Sequence, residues 1–294
     1  MSKELRRATG LLVIEVVNSN PNGDPDRESD PRQRPNGQGE ISPVSFKRKV
    51  RDLVGDHESL FFNALPNVYV HNKDRYHILE SRGRDRKIIQ KEMAADIKNY
   101  DGEKFLKSLF VEKYWDARVF GNTFLEEGAS KEFIKTGVAQ FGVGISISPV
   151  NVMRSTNTNK AGVQEGKNAG MAPLAFRVVE HGVYCMPFFI NSNLAAKSGC
   201  TADDIELLKL LIPHAYDLNR SAVRPDVRLR HAWYVEHKGR LGSCPDYLLI
   251  EALTPKRIGE TNKPSESWND YQDKIGLTPE LTSRIDTVID LVMQ

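Results

Sequence analysis

Apolar residues fall into patterned runs separated by polar, Pro- and Gly-rich connections. Residues 8–18, Ala-Thr-Gly-Leu-Leu-Val-Ile-Glu-Val-Val-Asn, are rich in β-branched side chains and predict a buried strand. A stretch dense in Pro, Gly, Asn and Asp follows from Ser19 to Ile41, longer than the ~15 residues beyond which loops are uncommon and often functional. Ser42-Pro43 then opens a helix, with Ser suited to the N-cap and Pro to the first turn. In that helix Phe46, Val50, Leu53 and Val54 fall on one face, and Lys47, Arg48 and Arg51 on the opposite side.

Residues 58–136 read as an insertion. It holds a hairpin (Val68–Val70 with Tyr76–Leu79), a charged helix from Arg82 to Lys98 and a second from Glu103 to Tyr114. The segment Asp116–Gly121 returns the chain to the core. From 137 to 150, alternation places Ala139, Phe141, Val143, Ile145 and Ile147 on one face. Gln140, Gly142, Gly144, Ser146 and Ser148 share the other, smooth enough for close approach by a backbone or ligand. The polar stretch from Arg154 to Gly170, before a strand from Leu174 to Ile190, predicts a projecting hairpin spanning 150–173.

A helix from about Ala202 to Tyr216 comes next. In the following strand, Val227 to Lys238, the residues Val227, Leu229, His231, Trp233 and Val235 face one way, and Arg228, Arg230 and Tyr234 the other. A strand at Tyr247–Ala252 and a helix from about Pro279 complete the chain. With the insertions set aside, the order is β-α-β-β-α-β, which predicts an α+β fold with a ferredoxin-like or RRM-like core built from 1–57 and 137–253. Residues 254–294 read as a C-terminal extension carrying a helix.

The chain has 294 residues, 39% of them hydrophobic, enough for a core without disulfide or metal staples. A mean hydropathy of -0.46 and the absence of any apolar run near ~18 residues argue against a membrane span. The first residues lack a signal-peptide pattern, so a cytoplasmic protein is expected. Cys185, Cys200 and Cys244 are scattered and form no metal or disulfide spacing. A net charge of +2 excludes a general basic field, so any nucleic-acid site must come from local clustering.

The loop-to-helix unit is the first such cluster. A helix N-terminus suits a phosphate, and Lys47, Arg48 and Arg51 add cationic side chains beside it. A solvated amphipathic helix would read the same way. The hairpin supplies a second cluster, with Arg154, Lys160 and Lys167 for a nucleic-acid backbone and Met171 for a base. Arg228 and Arg230 form a third. The loop carboxylates Asp24, Asp26, Glu28 and Asp30 alternate with Pro25, Arg27 and Pro31, more like turn formers than a metal site. His71, His77, His231 and His237 lack zinc spacing. No Walker loop, GxSxG elbow or Rossmann fingerprint is present. No metal or cofactor is expected.

The run from Thr9 to Asp26, with Asn18-Ser-Asn-Pro-Asn-Gly-Asp-Pro-Asp at its end, and Gly39-Glu-Ile-Ser-Pro-Val-Ser-Phe-Lys-Arg-Lys-Val-Arg51 closely resemble the backbone subunits of type I CRISPR Cascade complexes. These belong to the RAMP superfamily, and subtype I-C is the best match. Asp116-Ala-Arg-Val-Phe-Gly121 and the Gly142–Val150 strand resemble the same family.

The resemblance implies a hand-shaped subunit with an RRM-like palm, an inserted finger region over 58–136 and a thumb hairpin. Copies would stack head to tail along a CRISPR RNA, whose exposed bases pair with target DNA. The other partners implied are an RNA-processing end-cap subunit, a large subunit and a small subunit. On this sequence Asn18, Asn20, Asn22 and Ser45 through Arg51 would grip phosphates, and the region from Met153 to Met171 would be the thumb. The resemblance implies a non-catalytic subunit. Related type III subunits cleave RNA with a loop Asp, which leaves a metal-dependent ribonuclease using Asp24 or Asp26 as the alternative. A lone RRM-like module is the second.

Overall fold

The computed structural model describes residues 4–98, 102–122, 134, 136–159, 172–272 and 275–293. Its strands are β1 (Ala8–Ser19), β2 (Gly23–Asp24), β3 (Asp30–Pro31), β4 (Gln38–Ile41), β5 (Ala139–Phe141), β6 (Gly144–Pro149), β7 (Val152–Asn159), β8 (Ala172–Ile190), β9 (Val227–His237) and β10 (Ile285–Asp290). The helices are α1 (Pro43–Gly55), α2 (Leu60–Asn63), α3 (Asn67–Val70), α4 (Arg86–Ile97), α5 (Leu109–Lys113), α6 (Trp115–Phe120), α7 (Ala195–Ser198), α8 (Ala202–Leu211), α9 (Asp246–Leu253) and α10 (Pro279–Arg284).

Among the described residues the main sheet runs β10-β9-β1-β8-β6-β4, with β5 and β7 also paired to β8. The strands joined through α1 and α8 are β1, β6, β8 and β9. Their spatial order, β9-β1-β8-β6, is the fourth-first-third-second order of a split β-α-β sheet, and β1 is antiparallel to both neighbours. The α+β expectation therefore holds at the level of topology.

β1 is central because both of its faces are apolar. Leu12, Ile14 and Val16 meet Phe46 and Val50 of α1 and Ile205 and Leu208 of α8. Leu11 and Val13 meet Leu249 and Leu253 of α9 and Tyr271. Local sequence sets the helix starts: the Ser42 hydroxyl accepts the Ser45 N–H at 3.2 Å, and Thr201 with Asp204 forms a capping box on α8. The inserted region has a core of its own, in which Leu79, Ile89, Met93, Phe105 and Phe110 pack together.

Several expectations are corrected. From Phe141 to Ile145 the chain takes four steps while its partner takes three, from Phe188 to Cys185. The extra residue is a bulge that reverses the side-chain alternation. Past it, Gly144, Ser146 and Ser148 are the buried side, and Ile145 and Ile147 are only half-buried. The smooth face is therefore packed: a Cβ on Gly144 would lie 3.2 Å from Met186 Cε. Ser146 Oγ accepts Gly39 N–H at 2.8 Å and donates to the Ser148 carbonyl at 2.6 Å.

β9 is bulged as well. Val13 faces His231 but Ile14 faces Leu229, leaving Arg230 as the extra residue. Val227 and Leu229 therefore side with Ala232 and Tyr234 on the α1 face, while Trp233 and Val235 lie on the α9 face.

Tyr247–Ala252 is helical, because Leu249 and Leu253 are buried one turn apart. Val68–Val70 belongs to a one-turn helix that starts after Pro66, so the expected hairpin does not form. The helix from Pro279 ends after six residues, and Ile285–Asp290 joins the sheet as an edge strand.

Candidate nucleic-acid interface

The loop after β1 is organised around its asparagines. Asn18 is exposed at φ 43°, a left-handed conformation that Asn tolerates better than most residues. Asn20 is buried: its N–H donates to the Val223 carbonyl at 2.7 Å and its Nδ2 to the Ser29 carbonyl at 2.8 Å. Asn22 is also buried, and its Oδ1 accepts the Ser42 N–H at 2.8 Å, fixing the cap of α1. Asn22 therefore holds the loop on the helix, and Asn20 ties it to itself and to Val223, both with their side chains turned inward. That corrects the expectation that they reach for phosphates directly.

The basic ridge of α1 divides along its length. Ser45 is half-exposed beside the exposed Val44. Lys47 lies with its ammonium 5.3 Å from the centre of the Phe120 ring. Burial, and then the Arg51 charge, hold its pKa below the usual lysine value. Arg48 donates to the Glu80 carbonyl and lies 3.9 Å from Asp52.

Arg51, expected on the outer side, is only 5% exposed. Its guanidinium bonds Asp116 at 2.9 Å and Glu80 at 3.1 Å. A surface expectation failed because the counter-ion sits on α6, far along the chain.

Sequence reasoning missed two cations. Lys49 is 4% exposed and lies on the apolar side of α1. Its ammonium donates to the Ser45 carbonyl at 3.2 Å and hydroxyl at 3.1 Å, and lies 5.2 Å from the Tyr216 ring centre. Burial first, then the Arg224 charge, bring its pKa down to about 7. Arg224 donates through Nε to the Asn20 carbonyl at 3.0 Å. Neither cation forms an ion pair with a carboxylate among the described residues, although the Asp52 charge partly offsets the lowering at Lys49. The legible signal was Lys49 between Phe46 and Val50 on the helical wheel.

The base of the β7–β8 hairpin is held by the acidic loop. Arg154 and Arg177 face each other across the strands. Asp30 pairs with Arg154 and approaches Arg177 Nε at 3.5 Å, and Glu28 pairs with Arg177. The Arg154 hydrogen bond, above all, holds the Asp30 carboxyl below the usual range. Met153 is exposed beside this clamp. Lys160, Lys167 and Met171 lie outside the described residues.

Because opposed like charges destabilise a strand pair, Asp30→Ala is expected to speed tryptic cleavage at Arg154 and Arg177 several-fold. The melting temperature should change little. Equal cleavage rates would show that Asp30 is not a strut. A carboxyl with a lowered folded pKa stabilises above its unfolded value, about 3.9, and that contribution is lost as pH falls through the folded value. The wild-type hairpin should therefore loosen only in acid.

Arg228 and Arg230 stand apart from this surface. They point to the α9 face, where buried Glu15 accepts from Arg230 at 2.7 Å and from Arg228 at 3.3 Å, and meets His181 at 3.2 Å. Burial pushes Glu15 up, but the His181 bond and the two arginine charges more than offset it. Arg228 also pairs with Asp226 at 2.6 Å. The sheet separates this cluster from α1, so these two arginines are not brought to the α1 ridge, and Tyr234 is buried on the opposite face.

Asp24 Oδ1 accepts the Asp26 N–H at 3.2 Å and lies 3.9 Å from Arg32. No group of three or more His, Cys, Asp or Glu among the described residues is placed to hold a metal ion. No helix among the described residues is long and apolar enough to cross a membrane.

A family model described as "CRISPR-associated protein Cas7" matches residues 6–276. A curated relative of that name from Haloferax volcanii is 24% identical over 312 residues, covering 98% of this chain and 85% of its own. Similar solved structures include a chain of "CRISPR RNA-guided surveillance complex, pre-nicking", with a TM-score of 0.47 and 12% identity over 79% of each chain. A chain of a type III-B Cmr-beta complex bound to cognate target RNA has a TM-score of 0.43 and 10% identity, covering 79% of this chain and 61% of its own.

Proposed function

Because the chain belongs to the CRISPR-associated Cas7 family, we propose that it is a non-catalytic backbone subunit, of the type I-C kind, that binds guide RNA and stacks head to tail along it. The observation that carries this reading is the family match over 6–276, which includes the whole loop-to-α1 unit. The I-C assignment rests on the motif resemblance from Thr9 to Arg51. In this reading the exposed Asn18, the half-exposed Ser45, and Lys47 and Arg48 line the phosphate path, and Met153 approaches a base. The guide in turn pairs with target DNA, and end-cap, large and small subunits complete the complex.

A chain with net charge +2 gains RNA affinity from local grips repeated along a filament, and an interface that does not close on itself permits such stacking.

Native mass spectrometry of the chain co-expressed with a guide RNA is expected to show several copies per RNA. A 1:1 complex would overturn the stacking. Changing Lys47 and Arg48 together to Ala should weaken binding and lower the salt slope by about 1 for each phosphate that is no longer neutralised. Unchanged affinity and slope would remove α1 from the RNA path. Labelled RNA incubated with Mg²⁺ should stay intact, whereas regular cuts abolished by Asp24→Asn or Asp26→Asn would make the protein a ribonuclease.

A further inference from the structure

We propose that the cleft between the second half of α1 and residues 78–82 is a further phosphate subsite of the RNA path, in which Arg48 and Arg82 grip the phosphate and the Asp52 carboxylate holds its place until RNA arrives. The inference rests on the RNA-binding reading above. It extends that reading to the inserted region through Asp52 and Arg82, which the α1 ridge does not include.

The cleft has a volume of about 330 Å³, and its walls include Arg48, Arg51, Asp52, Asp56, Ile78 and Arg82. That size falls in the range of ligand clefts, ~300–1,000 Å³. Ser45, Arg48 and Asp52 follow one another at spacings of three and four, so they form one stripe along α1. At ~1.5 Å of rise per residue, the stripe carries the path roughly 10 Å beyond Ser45.

Asp52 has the wrong charge for a phosphate path, and its partners explain why it is there. Arg82 bonds it through two nitrogens, Nε at 3.1 Å and Nη2 at 2.6 Å. A guanidinium takes a phosphate with the same fork. Arg48 approaches the other Asp52 oxygen at 3.9 Å and ties α1 to the facing wall through the Glu80 carbonyl. One carboxylate is thus shared by two arginines at an open cleft. Arg82 is 72% exposed, and an exposed ion pair contributes little, so a phosphate can take the place of Asp52. Arg51 is committed to Asp116 and Glu80 and takes no part. Asp56 is exposed and accepts the Glu58 N–H at 3.0 Å, so solvent screens its charge.

The test is the guide-RNA affinity of the full chain, measured by fluorescence anisotropy over a salt series. Arg82→Ala is expected to weaken binding several-fold and to lower the salt slope by about 1. Asp52→Asn keeps the shape and removes the competing charge, so it should tighten binding by about two- to fivefold. That gain should vanish when Asp52→Asn is combined with Arg82→Ala, because the freed guanidinium is gone. Glu58→Gln removes an equal charge outside the cleft and should bind like the wild type. Asp52→Asn that binds no tighter than the wild type, or a gain that survives Arg82→Ala, overturns the inference. Glu58→Gln matching Asp52→Asn does the same, since the effect would then be a general field. Saturable binding of inorganic phosphate alone, lost in Arg82→Ala, would make the cleft a free-anion site and overturn its assignment to RNA. A wild type that fails to bind RNA at any salt concentration overturns the reading beneath it.

Discussion

Replacing Arg118 by Met is expected to lower unfolding free energy by about 3–5 kcal/mol, the cost of leaving one member of a buried ion pair alone. Both side chains of the Arg118–Asp204 pair are 1% exposed. The pairing is bidentate, Nε to Oδ2 at 3.0 Å and Nη2 to Oδ1 at 2.7 Å. The remaining guanidinium N–H groups donate to the carbonyls of Val111, Glu112 and Arg75. One side chain thus fastens the inserted region to α8. Urea denaturation checks the size of the loss. Because the residues touch, Arg118→Met with Asp204→Leu should lose less than the two single changes summed. Additive losses would mean that the pair is not a unit.

Arg51→Ala is expected to cost about 3 kcal/mol, because Asp116 keeps its burial and loses its charge partner. Asp116 would retain only the N–H groups of Leu79 at 2.7 Å and Glu80 at 3.3 Å. Asp116→Ala should give a loss of similar size. Any fall in RNA binding should then follow the unfolded fraction in both variants and recover on cooling. Weak RNA binding by Arg51→Ala at an unchanged melting temperature, with Asp116→Ala binding normally, would instead place Arg51 on the RNA. For this reason Lys47 and Arg48, changed with Arg51 left intact, are the informative probe of the α1 ridge.

The parts of the fold legible in the sequence are those set by local pattern. The apolar run of β1, the Ser42-Pro43 start of α1 and the register of Ile205 and Leu208 in α8 all survive in the structure. The errors lie where one residue changes the count. Reading alternation straight through the bulges at 142–144 and Arg230 puts every later side chain on the wrong face.

At the candidate site the sequence showed which residues cluster more than which partners they take. Asn20 and Asn22 are at its centre, but as braces. Arg51 is paired with Asp116 of α6, and Lys49 was overlooked because its neighbours on the wheel are apolar. Partners such as Asp116 for Arg51, or Asp30 for Arg154, are set by tertiary packing and leave no periodic trace in the chain.

The long strand β8 has a mechanical consequence. Its 19 residues, roughly 60 Å at ~3.3 Å each, pair with β7 up to Val179 and with β1 from Val179 onward. No loop intervenes at that changeover, so the strand acts as a lever with its fulcrum beside Ser19. A load on the hairpin is delivered without a joint to the position where the asparagine loop begins. The pairing of the hairpin and the start of the asparagine loop thus share one continuous backbone segment.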